Sequence, residues 1–543
     1  MAAQAFQLRR RPRAPVPAAA DPVSVSMRDG TKLATDLYLT NAPGRRVTAL
    51  CRLPYDKCGE SFFMPTVARW FSERGYAVAV QQCRGKLSSE GEVKPFAHEV
   101  SDGYDTIDWI VGRPWSDGRV VMIGDSYAGF TQWAAASSGH PALRAISPRV
   151  TSLELGDDWL FRQGVYNFQL MVDWVLHTWL DEHLYDATPD YDLRPLRKVA
   201  HSLAGNLFPA WADDWAMGRH SLPSIAPSDI PALHMGGWWD VFERGQLATW
   251  HAACAAGHSS QHLLMGARDH AWFPLRPERS RFVDPRLSQT TLEPFVEESL
   301  APVDEFFRHV LGGTERPPIV SFELTGSGWC EADSWPPKAV RPMLLYAADP
   351  VRAGVGPEGG ALLTHAERSK HVVDWVHDPR DPVPSLAPDP WEWLAAVPDE
   401  RDAEVRPDVL TFSGEPLVGQ LDIVGPVRVL AGVKSSSPSC HLAAKLVVVD
   451  PSGKALRLLN GITLVTATGG GEVMVELGDI AYRVPPRHRL RLEVAGSCYP
   501  MYAVHPGTQA DPWEEADPRP STIGVTIGGP RGLRVELTVA ERA

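Results

Sequence analysis

The chain has 543 residues and little cysteine, with only Cys51, Cys58, Cys83, Cys254, Cys330, Cys440 and Cys498. Their number is odd and no Cys-x-x-Cys pair occurs, which argues against a disulfide-stapled scaffold; no histidine cluster has metal-ligand spacing either. No apolar run is long enough to span a bilayer. Positive charge is in deficit: the net charge of −13 disfavours nucleic acid and anionic membranes as partners. Internal repeats are absent, and so is a glycine-rich loop in a nucleotide-binding context, so no cofactor is expected. The basic cluster Arg9-Arg10-Arg11-Pro12-Arg13 is not followed by the apolar core that a twin-arginine export signal needs. Residues 1–20 are therefore expected to form a disordered arm, and the protein to be cytoplasmic.

What is present is a nucleophile turn. The apolar run Val120–Ile123 lies between Gly118 and Gly124 and reads as a buried strand. It ends in Gly124-Asp125-Ser126, and a helix-like stretch, 127–138, opens at once. A serine on so tight a strand-to-helix turn projects its hydroxyl away from the sheet, provided that its neighbours are small. Gly124 and Ala128 are small, while the usual second glycine has moved one place on, to Gly129.

A serine hydroxyl needs a histidine to take its proton and a carboxylate to hold that histidine in the right tautomer. In an α/β-hydrolase these follow in the order acid, then histidine, each past the end of a later strand. The run 231–237 reads as a strand leading into Trp238-Trp239-Asp240, and 262–266 as another ending in Ala267-Arg268-Asp269-His270. Taken singly, Asp240 also suits a helix N-cap and His270 a surface histidine. In this order and setting they form a candidate triad with Ser126.

A chain of this length suggests two or three domains. Strand and helix patterns alternate over 21–148 and again over 228–315, which implies a mostly parallel sheet covered on both faces. The insertion 149–227 breaks that alternation with Trp159, Phe161, Tyr166, Phe168, Met171, Trp174, Val175, Trp179 and Leu180 on helical spacing. Lying between the nucleophile half and the acid–histidine half, it is expected to cap the site. Over 316–543 the pattern becomes short alternating strands with Gly/Pro turns, as in a β-sandwich.

These motifs resemble the cocaine esterase / α-amino acid ester hydrolase / X-Pro dipeptidyl-peptidase family of α/β-hydrolases. Its Gly-x-Ser-Tyr-x-Gly is matched by Gly124, Ser126, Tyr127 and Gly129, and its Arg-x-Pro-Tyr-Asp-Lys by Arg52, Pro54, Tyr55, Asp56 and Lys57. Arg84, Gly85, Ser89 and Gly91 match a further stretch, and Gly237, Trp238 and Asp240 match the acid segment. The resemblance covers nearly everything from about residue 22 onward. It implies an α/β-hydrolase core with an inserted helical cap and a jelly-roll topology for the β-sandwich. It also implies an oxyanion hole made by the Tyr55 hydroxyl and the Tyr127 amide; without it, Tyr55 would read as an ordinary half-buried aromatic.

Departures from the family pattern carry their own expectations. Ala267-Arg268-Asp269 stands where relatives have Pro-Trp before the histidine, which implies a charge pair in place of an aromatic wall. Gln82 replaces an aspartate, so Arg84 is expected to lack its carboxylate partner there. Asp125 is open to two readings, a salt-bridged structural residue or a charge opposing anionic substrates.

The function expected is that of a serine hydrolase cleaving a carboxylic ester, or an amide, of a small molecule through an acyl-enzyme. No metal or organic cofactor is required, and a homo-oligomer is compatible with the sequence. An acyltransferase or an amide or peptide hydrolase would use the same acyl-enzyme. X-Pro peptidases usually carry an additional N-terminal domain, whereas the core here is expected to begin near residue 22. Selectivity for α-amino acids would need carboxylates near the acyl amine, for which Glu154, Asp157, Asp158 and Asp173 are candidates. A catalytically silent ligand-binding protein is the alternative from another class.

Overall fold

The computed structural model describes residues 20–541, except 41–42, 59–62, 181–188, 259, 273–288, 314, 388, 396 and 467–468. The arm expected at the N-terminus falls, up to residue 19, outside the described residues.

Alternating apolar runs and amphipathic stretches build a ten-stranded sheet. Its first strands are β1 (Asp21–Ser26), β2 (Lys32–Tyr38), β3 (Arg46–Leu53), β4 (Ala77–Gln82), β5 (Ser116–Asp125) and β6 (Leu143–Arg149). A small hairpin follows, β7 (Phe161–Arg162) and β8 (Val165–Tyr166). The sheet resumes with β9 (Ala232–Trp239), β10 (Gln261–Asp269), β11 (Val320–Leu324) and β12 (Gly328–Ala332). The strand order is β1-β2-β4-β3-β5-β6-β9-β10-β11-β12, parallel from β4 through β11 and antiparallel at both edges.

Among the described residues up to 310, the α-helices are α1 (Met64–Glu73), α2 (Glu99–Val111), α3 (Tyr127–Ser137), α4 (Phe168–Trp174), α5 (Leu196–Ala204), α6 (Ala210–Ala216), α7 (Glu243–Ala255) and α8 (Gln289–Val310). Side-chain alternation along β5 divides the core as a strand's period of two requires. Val120 and Met122 pack with Ile107, Ile110, Phe130 and Trp133 of α2 and α3. Val121 and Ile123 pack with Phe71, Phe306 and Phe307 of α1 and α8. No helix among the described residues is long and apolar enough to cross a membrane.

Between β6 and β9 lies the cap. Its aromatic stripe does not keep a regular α-helical turn, because α4 is flanked by π-helical segments, Leu155–Leu160 and Val175–Leu180. Such segments recur where a helix is adapted to a site. They bring Trp159 and Trp174 edge to face at 4.7 Å and set Trp174 5.3 Å from Trp179.

The first sheet continues past residue 315 into β11 and β12, further than the sequence pattern indicates. The reason is local: α8 ends before a Gly/Pro turn that returns the chain parallel to β10, as any αβ connection does. From Val340 to Ala540 the strands form an antiparallel-rich, eleven-stranded β-sandwich. Its longest pair is Leu421–Ser435 with Gly469–Val484. Trp238 at the end of β9 packs 4.8 Å from Trp335 and donates its indole N–H to the Glu323 carbonyl at 2.8 Å, so the sandwich and the sheet share one core.

Candidate active site

Tyr55, Ser126, Asp240 and His270 lie just past the C-terminal ends of β3, β5, β9 and β10, the rim where ligands meet open parallel sheets. Ser126 has φ 58 and ψ −121, a conformation that a non-glycine residue holds only when its surroundings impose it. Its N–H is fixed by the Arg149 carbonyl at 2.9 Å. A Cβ on Gly124 would fall 2.6 Å from the Ala128 Cβ, and one on Gly129 would fall 2.7 Å from the Thr151 Cβ. Both positions must be bare for the turn to close, which explains the displaced glycine. Tyr127 is the first residue of α3, so its N–H has no acceptor within the helix.

His270 Nδ1 lies 2.8 Å from Asp240 Oδ1. The Asp240 side chain is fully buried and that of His270 is 13 % exposed. A carboxylate on Nδ1 holds the proton there and leaves Nε2 as the basic nitrogen. The ring is flanked by Trp391 at 4.8 Å and Phe242 at 5.4 Å. The aromatic wall thus survives the loss of the family's tryptophan, because the β-sandwich segment supplies Trp391. Arg268 reaches Glu298 at 2.5 Å, and Asp269 Oδ2 accepts the Leu394 N–H at 2.8 Å. Arg268 and Asp269 thus each engage residues elsewhere in the chain.

The Tyr55 hydroxyl is hydrogen-bonded to the side chains of Ser126 and Trp174, and burial pushes its pKa up to about 12. It stays protonated at neutral pH and remains a donor. Arg84 does have carboxylate partners: Asp102 at 2.7 Å and Asp29 at 2.7 Å, contributed by other parts of the chain. Asp125 pairs with Arg149 through both carboxylate oxygens at 2.5 and 2.6 Å, which favours the salt-bridged reading.

The cap carboxylates separate clearly. Glu154 and Asp157 are exposed. Asp158 is buried where Arg162 and Arg244 oppose the desolvation of its carboxyl. Asp173 is pushed up to about 7 by burial and by the charge of Asp389.

Sequence reasoning missed a buried group behind the nucleophile turn. Glu99 takes the Tyr127 phenol at 2.9 Å and an Arg52 guanidinium nitrogen at 2.7 Å. The same phenol oxygen accepts the Phe96 N–H at 2.7 Å. Phe96, at φ 66, stacks on Tyr127 at 4.4 Å and meets Trp159 edge-on at 5.3 Å. The only sequence signal was the Arg52 motif itself, which names no partner.

Comparison with known proteins gives a consistent picture. Residues 29–272 match the X-Pro dipeptidyl-peptidase (S15 family) profile, and residues 312–531 match the X-Pro dipeptidyl-peptidase C-terminal non-catalytic domain. The chain is 30% identical over 532 residues to a cocaine esterase of Rhodococcus sp., covering 88% of this chain and 91% of the relative. A putative serine esterase of Mycobacterium bovis is 23% identical over 89% of this chain and 91% of its own. Among solved structures, an aminopeptidase from a marine-sediment Thaumarchaeota archaeon superposes with a TM-score of 0.78 at 22% identity, over 96% of each chain. An α-amino acid ester hydrolase superposes with a TM-score of 0.76 at 23% identity, over 99% of this chain and 100% of its own.

Proposed function

Because the chain belongs to the X-Pro dipeptidyl-peptidase (S15) family and is a serine hydrolase of esters or amides, we propose that it cleaves a carboxylic ester of a small molecule, with Ser126 as nucleophile. The observation that carries the assignment is the strained Ser126, hydrogen-bonded to Tyr55. The Asp240–His270 pair at the same rim of the sheet supports it.

In this reading Ser126 Oγ attacks the substrate carbonyl while His270 Nε2 takes its proton. Asp240 holds the imidazole and stabilises the imidazolium that forms. Negative charge developing on the carbonyl oxygen is met by the Tyr55 hydroxyl and the Tyr127 N–H, two fixed donors in a water-poor setting. His270 then protonates the departing alcohol, and water activated by the same nitrogen releases the acid from Ser126. The indole of Trp174, hydrogen-bonded to Tyr55 and backed by Trp159, favours a flat or bulky apolar acyl group.

A second reading is an aminoacyl ester. It is favoured by Asp173, whose burial and exposure to the charge of Asp389 would be relieved by an ammonium group. Hydrolysis of matched esters with and without the α-amine separates the two readings.

The test is exposure to a fluorophosphonate probe followed by peptide mapping, with Ser126→Ala alongside. A single adduct on the Ser126 peptide, absent from the variant, is expected together with loss of ester turnover. Turnover retained in a folded, clean Ser126→Ala sample would overturn the assignment. Transfer of the acyl group to added alcohols or amines in preference to water would make the chain an acyltransferase.

A further inference from the structure

A cavity of about 290 Å³ opens at the seam between the cap hairpin β7–β8 and the β-sandwich. Ser126, Asp240 and His270 do not line it. Phe161, Tyr166 and Trp513 give it aromatic walls, while Ser439, His441 and His505 bring polar atoms. Its size lies at the lower end of small-molecule sites and suits a single-ring compound.

The hydrogen-bonding sense of the polar groups follows from the tautomers. His505 Nδ1 accepts the Gly507 N–H at 3.0 Å. In a neutral ring the proton must then sit on Nε2, which donates it to Ser439 Oγ at 2.9 Å. The Ser439 hydroxyl hydrogen is left to be donated onward. His441 is 3 % exposed and hydrogen-bonds to the Ala503 backbone. The two rings lie 5.0 Å apart. Burial and the neighbouring histidines keep them neutral, with His441 held well below its usual range and His505 lowered to about 4.

We propose that this cavity is a second ligand site, distinct from the serine centre, for a small neutral alcohol carrying an aromatic ring. The ring packs among Phe161, Tyr166 and Trp513, and the hydroxyl accepts from Ser439. An anion is disfavoured by Asp511 in the same wall.

The experiment uses 2-phenylethanol, titrated calorimetrically into the full chain with Ser126 blocked by a fluorophosphonate. If no adduct forms, which is a failure of the hydrolase assignment alone, the folded Ser126→Ala chain is titrated instead. One saturable site is expected, weakened at least tenfold by Ser439→Ala and abolished by Ala216→Phe, which fills the cavity from the cap side. Ethylbenzene, lacking the hydroxyl, should bind at least tenfold more weakly. The proposal is overturned if no saturable binding occurs in the folded chain, if binding survives both substitutions, or if ethylbenzene binds equally well. Should Ser439→Ala fail to fold, the Ala216→Phe and ethylbenzene arms decide.

Discussion

The Tyr127 phenol donates to Glu99 Oε1 at 2.9 Å, tying the residue beside the proposed nucleophile to a carboxylate at the start of α2. Glu99 is itself anchored by the fully buried Arg52. Tyr127→Phe removes this bond and leaves both Glu99 and the Phe96 N–H short of a partner in the interior. A loss of about 1–3 kcal/mol in denaturant unfolding is expected. Glu99→Ala should cost more, about 3 kcal/mol or above, because it strips a buried cation of its nearest charge. If Tyr127→Phe unfolds at the same denaturant concentration as the parent chain, the phenol contributes nothing to holding the turn.

Asp240→Asn tests the electrostatic part of the proposed triad. The amide retains the size of the carboxylate, but it can hold the wrong imidazole tautomer and cannot offset an imidazolium. A fall in kcat of about 10⁴, with an unchanged circular dichroism spectrum, is expected. A drop of less than tenfold would show that Asp240 does not serve His270 in the reaction.

Tyr55→Phe isolates the second oxyanion donor. The phenol is protonated at neutral pH, so the substitution deletes one hydrogen bond to the developing oxyanion while keeping the ring. The expected loss is about 10²–10³ in kcat, with KM changing much less. An equal effect on KM instead would place Tyr55 in ground-state binding.

The parts that could be read from the sequence were those encoded over a few consecutive residues. The strand before Ser126 is an apolar run between glycines, as a central parallel strand buried on both faces requires. Asp240 and His270 stood out because each follows such a run in the order a hydrolase requires. Tyr55 carried no signal except its family motif, since a half-buried tyrosine at a strand end has many structural uses. Trp391 and Glu99 were invisible for a different reason. Trp391 belongs to the β-sandwich segment and meets His270 only after the two sheets pack, and Glu99 reads as an ordinary acidic residue opening a helix. The cap also escaped an α-helical pattern, because its π-helical segments shift the stripe that periodicity assumes. Arg84 shows the same limit: its carboxylates come from β1–β2 and α2 and not from the neighbouring position where the pattern led one to look.

Buried neutral histidines make acid stability a quantitative test of the interior. His234 is lowered to about 4 by burial, with Nε2 3.0 Å from Gln261 Oε1. His505 is lowered to about 4 as well. Below the ordinary histidine pKa near 6.5 the unfolded chain takes up a proton at each position, whereas the folded chain does not until about pH 4. Stability attributable to each group is therefore present above pH 6.5 and is lost as the pH falls through this window. Asp173 and Asp479, raised to about 7 and about 6, act with the opposite sign over the same range, since the folded chain holds their protons to higher pH. The measurable quantity is accordingly a difference between two chains. His234→Gln keeps hydrogen-bonding capacity beside Gln261 but cannot titrate. Between pH 7 and pH 5 the parent should lose about 2 kcal/mol more than the variant in denaturant unfolding. Parallel pH dependences would mean that His234 is either charged in the folded chain or open to solvent.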